Sequence, residues 1–521
     1  MLRSIATDTR LQTTWLDGIA RKINWLAGHR YTPWVLLIAG LLRNITLILA
    51  YPPAHGADSI AYFLYAEHLG GLRMDSLTNV AYPLYSIFVL AAFNWLGSIY
   101  WLIALQFVMS ACIASLYYLA LKRYSPALAL LCALLILGDT QLGLLFNFTS
   151  TEPLYVFLMA LTLYLLLRQA DLKPPPHPKT SFALDAAIGV LALLLLLTRS
   201  VGRYLILPFA LIFGLRTRSW RRALALLAGF GASLLIYLGL SRALIGEVNG
   251  LDTGNYLIGV IMFEHPEWVS TANGPASAEW VDILERCPKY FQFLDCLEEQ
   301  KGSWDAGVSL MSATARETVL ADPWRYAQTT WQKLLDFLSL SGQIYGVDPG
   351  TPAQAQCENF EERLANMSDR HLLTAERGST LTDQSPQTLA QFRERVVAIR
   401  SAMCPPLPHS PQLQSIVDFV SYRYRSLGRP NPHLWYGALF LLVLVVPWAR
   451  RYFIPLLVTG VVLLNHALPS ALISNIQPRY VVVTNPMRAI LLCMLIFIVV
   501  KLVIYTLDWL LTRRRAQPLT S

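Results

Sequence analysis

A polytopic, all-α membrane protein is the fold class this sequence predicts, and three observations predict it. Of 521 residues, 55% are hydrophobic and 14% are charged, a balance foreign to ordinary soluble enzymes. The apolar residues gather into ten runs of spanning character, at about 33–51, 99–121, 126–146, 153–168, 182–198, 204–215, 223–241, 434–449, 452–474 and 481–511. Every second connection between these runs is basic, as the orientation rule for cytoplasmic loops requires.

The order of the elements follows from that pattern. Arg3, Arg10, Arg21, Lys22 and Arg30 precede the first long apolar run, so residues 1–32 read as a cytoplasmic tail and the first span as its own insertion signal. Inner connections then carry Lys122 and Arg123; Lys173 and Lys179; Arg216, Arg218, Arg221 and Arg222; Arg450 and Arg451; and Arg513, Arg514 and Arg515. The apolar run from Tyr82 to Leu96 is short for a span, and counting it would place Lys122 and Arg123 outside. It is expected to be juxtamembrane or re-entrant. The division is therefore a transmembrane module over 33–241 with a first outer loop at 52–98. An outer segment at 242–433, C-terminal spans over 434–511 and an inner tail at 512–521 complete it.

Charge separates these parts. The segment 242–433 holds 16 basic and 23 acidic residues, a balance of −7 against +9 for the chain, which leaves +16 for the remainder. The basic excess belongs to the membrane part, and with no basic module interleaved with aromatics, nucleic acid is not an expected partner. The outer segment is expected to be mainly helical, with Trp268, Trp280, Trp304, Trp324 and Trp331 among its short helices. Four cysteines fall there: Cys287, Cys296, Cys357 and Cys404. Three pairings are open, of which Cys287 with Cys296 and Cys357 with Cys404 are the simplest. No metal-ligand spacing of Cys and His occurs.

Candidate functional residues crowd the outer face. Arg199, Arg203 and Arg479 lie at outer ends of spans, where positive charge should be scarce, and Tyr480 follows the last of them. Snorkelling to the interface is one reading; a guanidinium cradle for a phosphate is the other. Asp58, seven residues past the first span, stands before a stretch in which Tyr62, Tyr65 and Leu69 share a face, so it caps that helix or serves as a general base. Glu152, in Ser-Thr-Glu-Pro-Leu before the fourth span, either meets a positive helix end or belongs to the site. His55, His68 and Glu67 near Asp58 match no zinc pattern; a divalent cation between Asp58 and Glu152 is left open, and no other cofactor is indicated. Arg43 and Asp139 fall about eight residues from the outer ends of their spans, roughly 12 Å deep at 1.5 Å per residue, and a structural ion pair is expected.

A basic tail, a span containing arginine, an outer loop with Asp58 and Tyr62, and then Tyr82–Tyr85 leading a short apolar segment resemble the GT-C glycosyltransferases. The branch of the protein O-mannosyltransferases and the lipid A aminoarabinose transferase is the most similar. The Thr-Glu-Pro-Leu start of the fourth span, the Thr-Arg-Ser turn and Pro-Arg-Tyr before the last span extend the likeness, which covers residues 33–222 and, more thinly, the C-terminal spans. It implies a GT-C-like bundle with juxtamembrane helices in the first outer loop. It also implies an inverting transferase that takes a sugar from a polyprenyl-phosphate lipid on the outer face of a bacterial inner membrane and gives it to an extracytoplasmic acceptor. Asp58 then matches the base, Glu152 a site acid, and Arg199, Arg203, Arg479 and Tyr480 the donor-phosphate side, with His55, Tyr62 and Tyr82 lining the site. The sequence departs from the branch in following Asp58 with Ser59, and in Val80, Ala81 and Tyr82 where an acidic–basic pair stands in the lipid A enzymes. A transporter for lipid-linked sugars, or a polysaccharide polymerase or ligase, remains the alternative.

Overall fold

The computed structural model describes chiefly residues 27–51, 83–171, 178–245, 264–287, 293–302, 304–339, 410–427, 432–473 and 478–516, with isolated positions such as 53–55, 59, 62, 63, 66 and 261. In chain order the elements are α1 (Thr32–Ala50), β1 (Ala54–His55), α2 (Pro83–Val89), α3 (Ile99–Leu121), α4 (Pro126–Gly138), α5 (Thr140–Leu145), β2 (Phe148–Thr149), α6 (Thr151–Asp171), α7 (Pro178–Thr198), α8 (Ile206–Thr217) and α9 (Trp220–Ile245). Then come α10 (Pro275–Arg286), α11 (Phe293–Lys301), α12 (Trp304–Ala321), α13 (Pro323–Ser339), α14 (Pro411–Leu427), α15 (Pro432–Val445), α16 (Phe453–Ile473), α17 (Pro478–Val483) and α18 (Asn485–Ala516).

Among the described residues, seven helices are long and apolar enough to cross a membrane: Thr32–Ala50, Ile99–Leu121, Thr151–Ala170, Ser200–Thr217, Trp220–Leu240, Pro447–Leu472 and Asn485–Leu507. The chain is thus an all-α membrane protein. Three other expected spans correspond to shorter apolar helices, Pro126–Gly138, Phe182–Thr198 and Trp435–Val445, and Pro83–Trp95 is a fourth short one. Outward-facing Trp34, Ile38, Leu42 and Ile45 on α1 are exposed, as lipid-facing side chains are when no water has to be avoided.

Two expected spans are broken, each for a local reason. The run 126–146 stops at Gly138 because Asp139 adopts extended backbone and its carboxylate accepts the Leu142 N–H at 3.0 Å, capping a new helix, α5. The last run divides at Thr484, whose hydroxyl turns back to the Val481 carbonyl at 2.7 Å.

The expected Arg43–Asp139 ion pair is not formed. Arg43 donates to the carbonyls of Ile136 and Leu137 at 3.4 and 3.2 Å, to Asn44 Oδ1 and to Ser110 Oγ at 2.6 Å. It therefore sits at the negative end of α4, while Asp139 sits at the positive start of α5 and accepts from Asn485 Nδ2 at 2.8 Å. Counting depth along unbroken helices could not anticipate that both charges are met by helix ends.

Helices α7 and α9 approach unusually closely. A methyl group on Gly189 would fall 2.0 Å from the Leu226 carbonyl oxygen, and one on Gly229 would fall 2.1 Å from that of Ala186, so each glycine admits the other helix's backbone. Between the same helices Arg222 grips the fully buried Asp185 with two bonds, Nε to Oδ2 at 2.7 Å and Nη2 to Oδ1 at 2.8 Å.

The polar segment between α9 and α14 has a core of its own, built on Trp280, Ile283, Leu297, Leu310, Met311 and Ala315, and a disulfide joins Cys287 to Cys296. Cys357 and Cys404 lie outside the described residues. Glu317 of α12 caps α10, accepting the N–H groups of Ala276 and Ser277 at 3.1 and 2.7 Å and the Ser277 hydroxyl at 2.8 Å. Helix α13 docks on the bundle: the Tyr326 hydroxyl donates to the Leu472 carbonyl at 2.7 Å, and Arg488 Nη2 donates to the Phe337 carbonyl at 2.6 Å. Helix α14 lies against α1, with the Ser410 N–H on the Leu49 carbonyl at 2.8 Å and the Tyr51 hydroxyl on Asp418.

Two outcomes are expected. Asp185→Asn strands a buried guanidinium and should destabilise the bundle by about 3 kcal/mol or more, read as a lowered thermal unfolding midpoint in detergent; an unchanged midpoint would show the pair to be dispensable. Burial raises the Glu317 pKa, but the Ser277 and Ala276 donors outweigh it and hold the carboxyl below the usual glutamate value. Its cap contribution is therefore complete above the ordinary glutamate pKa of about 4.3 and is lost as pH falls through the depressed folded value. Hydrogen exchange of α10 should accelerate on such acidification in the wild type, and should already be fast at neutral pH in Glu317→Ala.

Candidate functional site

Four segments distant in sequence meet at the start of α6. Glu152 lies in its first turn, 2% exposed, where the Thr151 hydroxyl donates to Oε2 at 3.3 Å. Its other oxygen, Oε1, pairs with Arg199 Nη1. Arg199 stands just past α7 in extended backbone, ahead of the 3-10 turn Ser200–Tyr204, and its guanidinium carbon lies 4.5 Å from the centre of the Tyr480 ring. A planar cation so placed takes a carboxylate at one edge and an aromatic face on its plane. Asn465 on α16 fixes this corner by donating to the Val201 carbonyl at 2.9 Å.

The segment that follows α1 reaches the same place through backbone pairing. Strands β1 and β2 run parallel, with Ala54 opposite Phe148 and His55 opposite Thr149, and the Ser59 hydroxyl donates to the Thr149 carbonyl at 2.7 Å. Gln106 on α3 holds the Phe146 and Phe148 carbonyls at 2.7 and 2.9 Å and accepts the Tyr85 hydroxyl at 3.0 Å. Strand β2 is thereby anchored three residues before Glu152.

Of the residues expected from sequence, Glu152, Arg199 and Tyr480 converge. Tyr62 is buried and meets the Tyr85 ring edge-on at 5.1 Å, two side chains from the ion pair's supporting glutamine. Arg203 turns to its own loop, with Nε on the Ser200 carbonyl at 3.0 Å and its guanidinium 5.7 Å from the Tyr204 ring. Asp58 and Tyr82 lie outside the described residues, as do the side chains of His55 and Arg479; the Arg479 backbone belongs to α17. Among the described residues no group of three His, Cys, Asp or Glu side chains could hold a metal ion.

Sequence reasoning missed the polar interior beneath the pair. Tyr155, one turn on from Glu152, is fully buried, and its ring lies 5.3 Å from that of His466. The Tyr155 hydroxyl, the Tyr117 hydroxyl and His466 Nε2 are buried without a hydrogen-bond partner among the described residues. His466 Nδ1 lies 2.8 Å from the Val462 carbonyl, a partner that can only accept, which assigns the proton to Nδ1 and leaves Nε2 as an acceptor. A histidine within an apolar run was the available signal.

No protein-family model matches the chain, and no curated protein or solved structure is significantly similar to it.

What this site can do chemically is hold an anion at the edge of an apolar bundle. The Arg199 fork is planar and carries five N–H donors, the donor geometry that recognises a carboxylate, as here on Glu152, or a phosphate. Removing one partner of so buried a pair should cost about 3 kcal/mol, whereas removing both costs less than the two single changes together. A thermal-unfolding cycle of Glu152→Gln, Arg199→Gln and the double variant reads this; strictly additive shifts would mean that the two side chains are not coupled.

Proposed function

We propose that the chain is an inverting glycosyltransferase that moves a sugar from a polyprenyl-phosphate donor to a hydroxyl of an extracytoplasmic lipid, glycan or protein. The observation that carries this reading is the convergence of Glu152, Arg199 and Tyr480 beside the strand pair that joins the first outer loop to the start of α6. That loop contains Asp58, between the paired His55 and the anchored Ser59.

The reaction asks three things of such a site. A carboxylate, Asp58, accepts the proton of the acceptor hydroxyl as its oxygen attacks the anomeric carbon. The bond from that carbon to the donor phosphate breaks on the opposite side, and the polyprenyl phosphate leaves with the electron pair. Arg199, with Arg479, stabilises the charge that grows on the leaving phosphate, and the low-dielectric rim of the bundle strengthens that contact. Glu152 positions the Arg199 fork, and Tyr480 covers its face.

The proposed setting is a ten-span bundle with both tails inside and the site on the outer face of a bacterial inner membrane. The basic connections support that orientation. So does the disulfide between Cys287 and Cys296, a bond at home in an oxidising compartment. The outer segment, docked through α13, is then in position to present the acceptor.

Purified full-length protein should retain polyprenyl phosphate, detected by mass, and should convert an added undecaprenyl-phosphate-linked sugar to the free lipid phosphate. Asp58→Asn keeps the shape and removes the base, so it should retain the lipid while turnover falls by at least about a hundredfold. Normal turnover in that variant, or no bound lipid in either protein, would sink the reading.

A further inference from the structure

At the opposite ends of α6 and α8 from Glu152 and Arg199, a cavity of about 760 Å³ opens on the arginine-rich face. Five arginines line it, Arg123, Arg216, Arg218, Arg450 and Arg451, and no acidic residue is among the described residues of its lining. Orientation in a bilayer accounts for arginines in inner connections, but it does not require those of three separate connections to surround one space. Several are positioned for it. Arg123 Nη1 donates to the Arg168 carbonyl at the end of α6 at 3.3 Å. Arg450 Nε donates to the Leu444 carbonyl at 3.1 Å, and Arg451 bonds the Tyr452 hydroxyl. Arg218 ends α8 in the left-handed region, φ 51°, which redirects the chain at the cavity's rim.

The remaining wall is apolar, including Ile212, Leu215 and Phe453. From its mouth, Leu215, Leu211 and Leu207 run up one face of α8 at intervals of four residues, 67%, 63% and 69% exposed. That stripe covers about 12 Å along the helix axis. Five guanidinium groups drawn from three connections around one space favour an anion. A lipid-exposed apolar track leading out of the cluster favours an anion with a hydrocarbon tail over a free one.

We propose that this cavity binds the headgroup of an anionic glycerophospholipid of the inner leaflet. The phosphate sits among the arginines and an acyl chain lies along the Leu207–Leu211–Leu215 stripe. The size suits such a headgroup, since small-molecule sites commonly enclose about 300–1,000 Å³, and basic pockets between spans on this side of a membrane recognise lipid phosphates by the same physics. The site is separate from the Glu152–Arg199 corner and does not rest on the transferase reading.

Native mass spectrometry of the full-length protein, titrated with dioleoylphosphatidylglycerol or dioleoylphosphatidylcholine in detergent, tests this. The wild type should retain one phosphatidylglycerol in preference to phosphatidylcholine. Arg450→Gln with Arg451→Gln should weaken that binding about thirtyfold. Arg450→Lys with Arg451→Lys keeps the orienting charge and should bind within about threefold of wild type, so that loss through misfolding is separated from loss of charge. Leu211→Asn should weaken the phosphatidylglycerol complex while leaving glycerol phosphate binding unchanged. Equal retention of the two lipids overturns the proposal, as does wild-type binding by the glutamine variant or a lysine variant no better than it. Glycerol phosphate competing as well as the lipid at equal concentration would mark a site for a soluble phosphate instead.

Discussion

A charge inside an apolar bundle persists only where something of opposite sign meets it, and that constraint orders this membrane domain. Water cannot supply the partner, so the chain must. Glu152 meets Arg199, Asp185 meets Arg222, Arg43 meets the carbonyls ending α4, and Asp139 meets the N–H groups opening α5. Arg488 takes the Phe337 carbonyl and the Thr484 hydroxyl. Each of these contacts joins elements far apart in sequence or fixes a helix end, so charge compensation and tertiary structure are one problem here.

Helix breaks are the second consequence. A continuous helix satisfies its own carbonyls and has none to lend; a broken one exposes carbonyls at one end and N–H groups at the other. The interruption at Gly138–Asp139 provides Arg43 with acceptors and Asp139 with donors at a single place. The turn from Thr198 to Ile206 does the same at the start of α6, where it holds Arg199 in extended backbone and turns it toward Glu152. At these two places the irregular backbone lies where charges are handled.

Much of this was legible in the sequence, and the parts that were not share a cause. Apolar runs and basic connections locate the helices because hydrophobic length and charge sidedness are properties of single segments. Glu152, Arg199 and Tyr480 are singled out by the same logic, each at the end of an expected span, and the structure brings the three together. What escaped depends on two segments at once. The Asp185–Arg222 grip has its acid inside one expected span and its base in the connection that precedes another. The two-residue strands β1 and β2 carry no periodicity at all. Tyr155 and His466 read as members of apolar runs, and only their mutual approach, with the Tyr155 hydroxyl and His466 Nε2 unpartnered among the described residues, sets them apart. The Arg43–Asp139 expectation failed from the opposite error: the two residues are near neighbours in depth, but helix ends were competing partners that residue counting does not see.

The two arginine clusters of this protein have different physics. At Arg199 the cation is largely buried and shares its fork with Glu152, so any incoming anion must compete with, or complete, an existing pair; selectivity there depends on geometry. Arg450 and Arg451 are exposed, and no carboxylate is among the described residues that line their cavity, so attraction there is long-ranged and weakened by salt. A protein that handles an anion briefly is served by the first kind, because the carboxylate can restore the pair when the anion departs. One that keeps an anion bound is served by the second, because several guanidinium groups share the charge of one anion there.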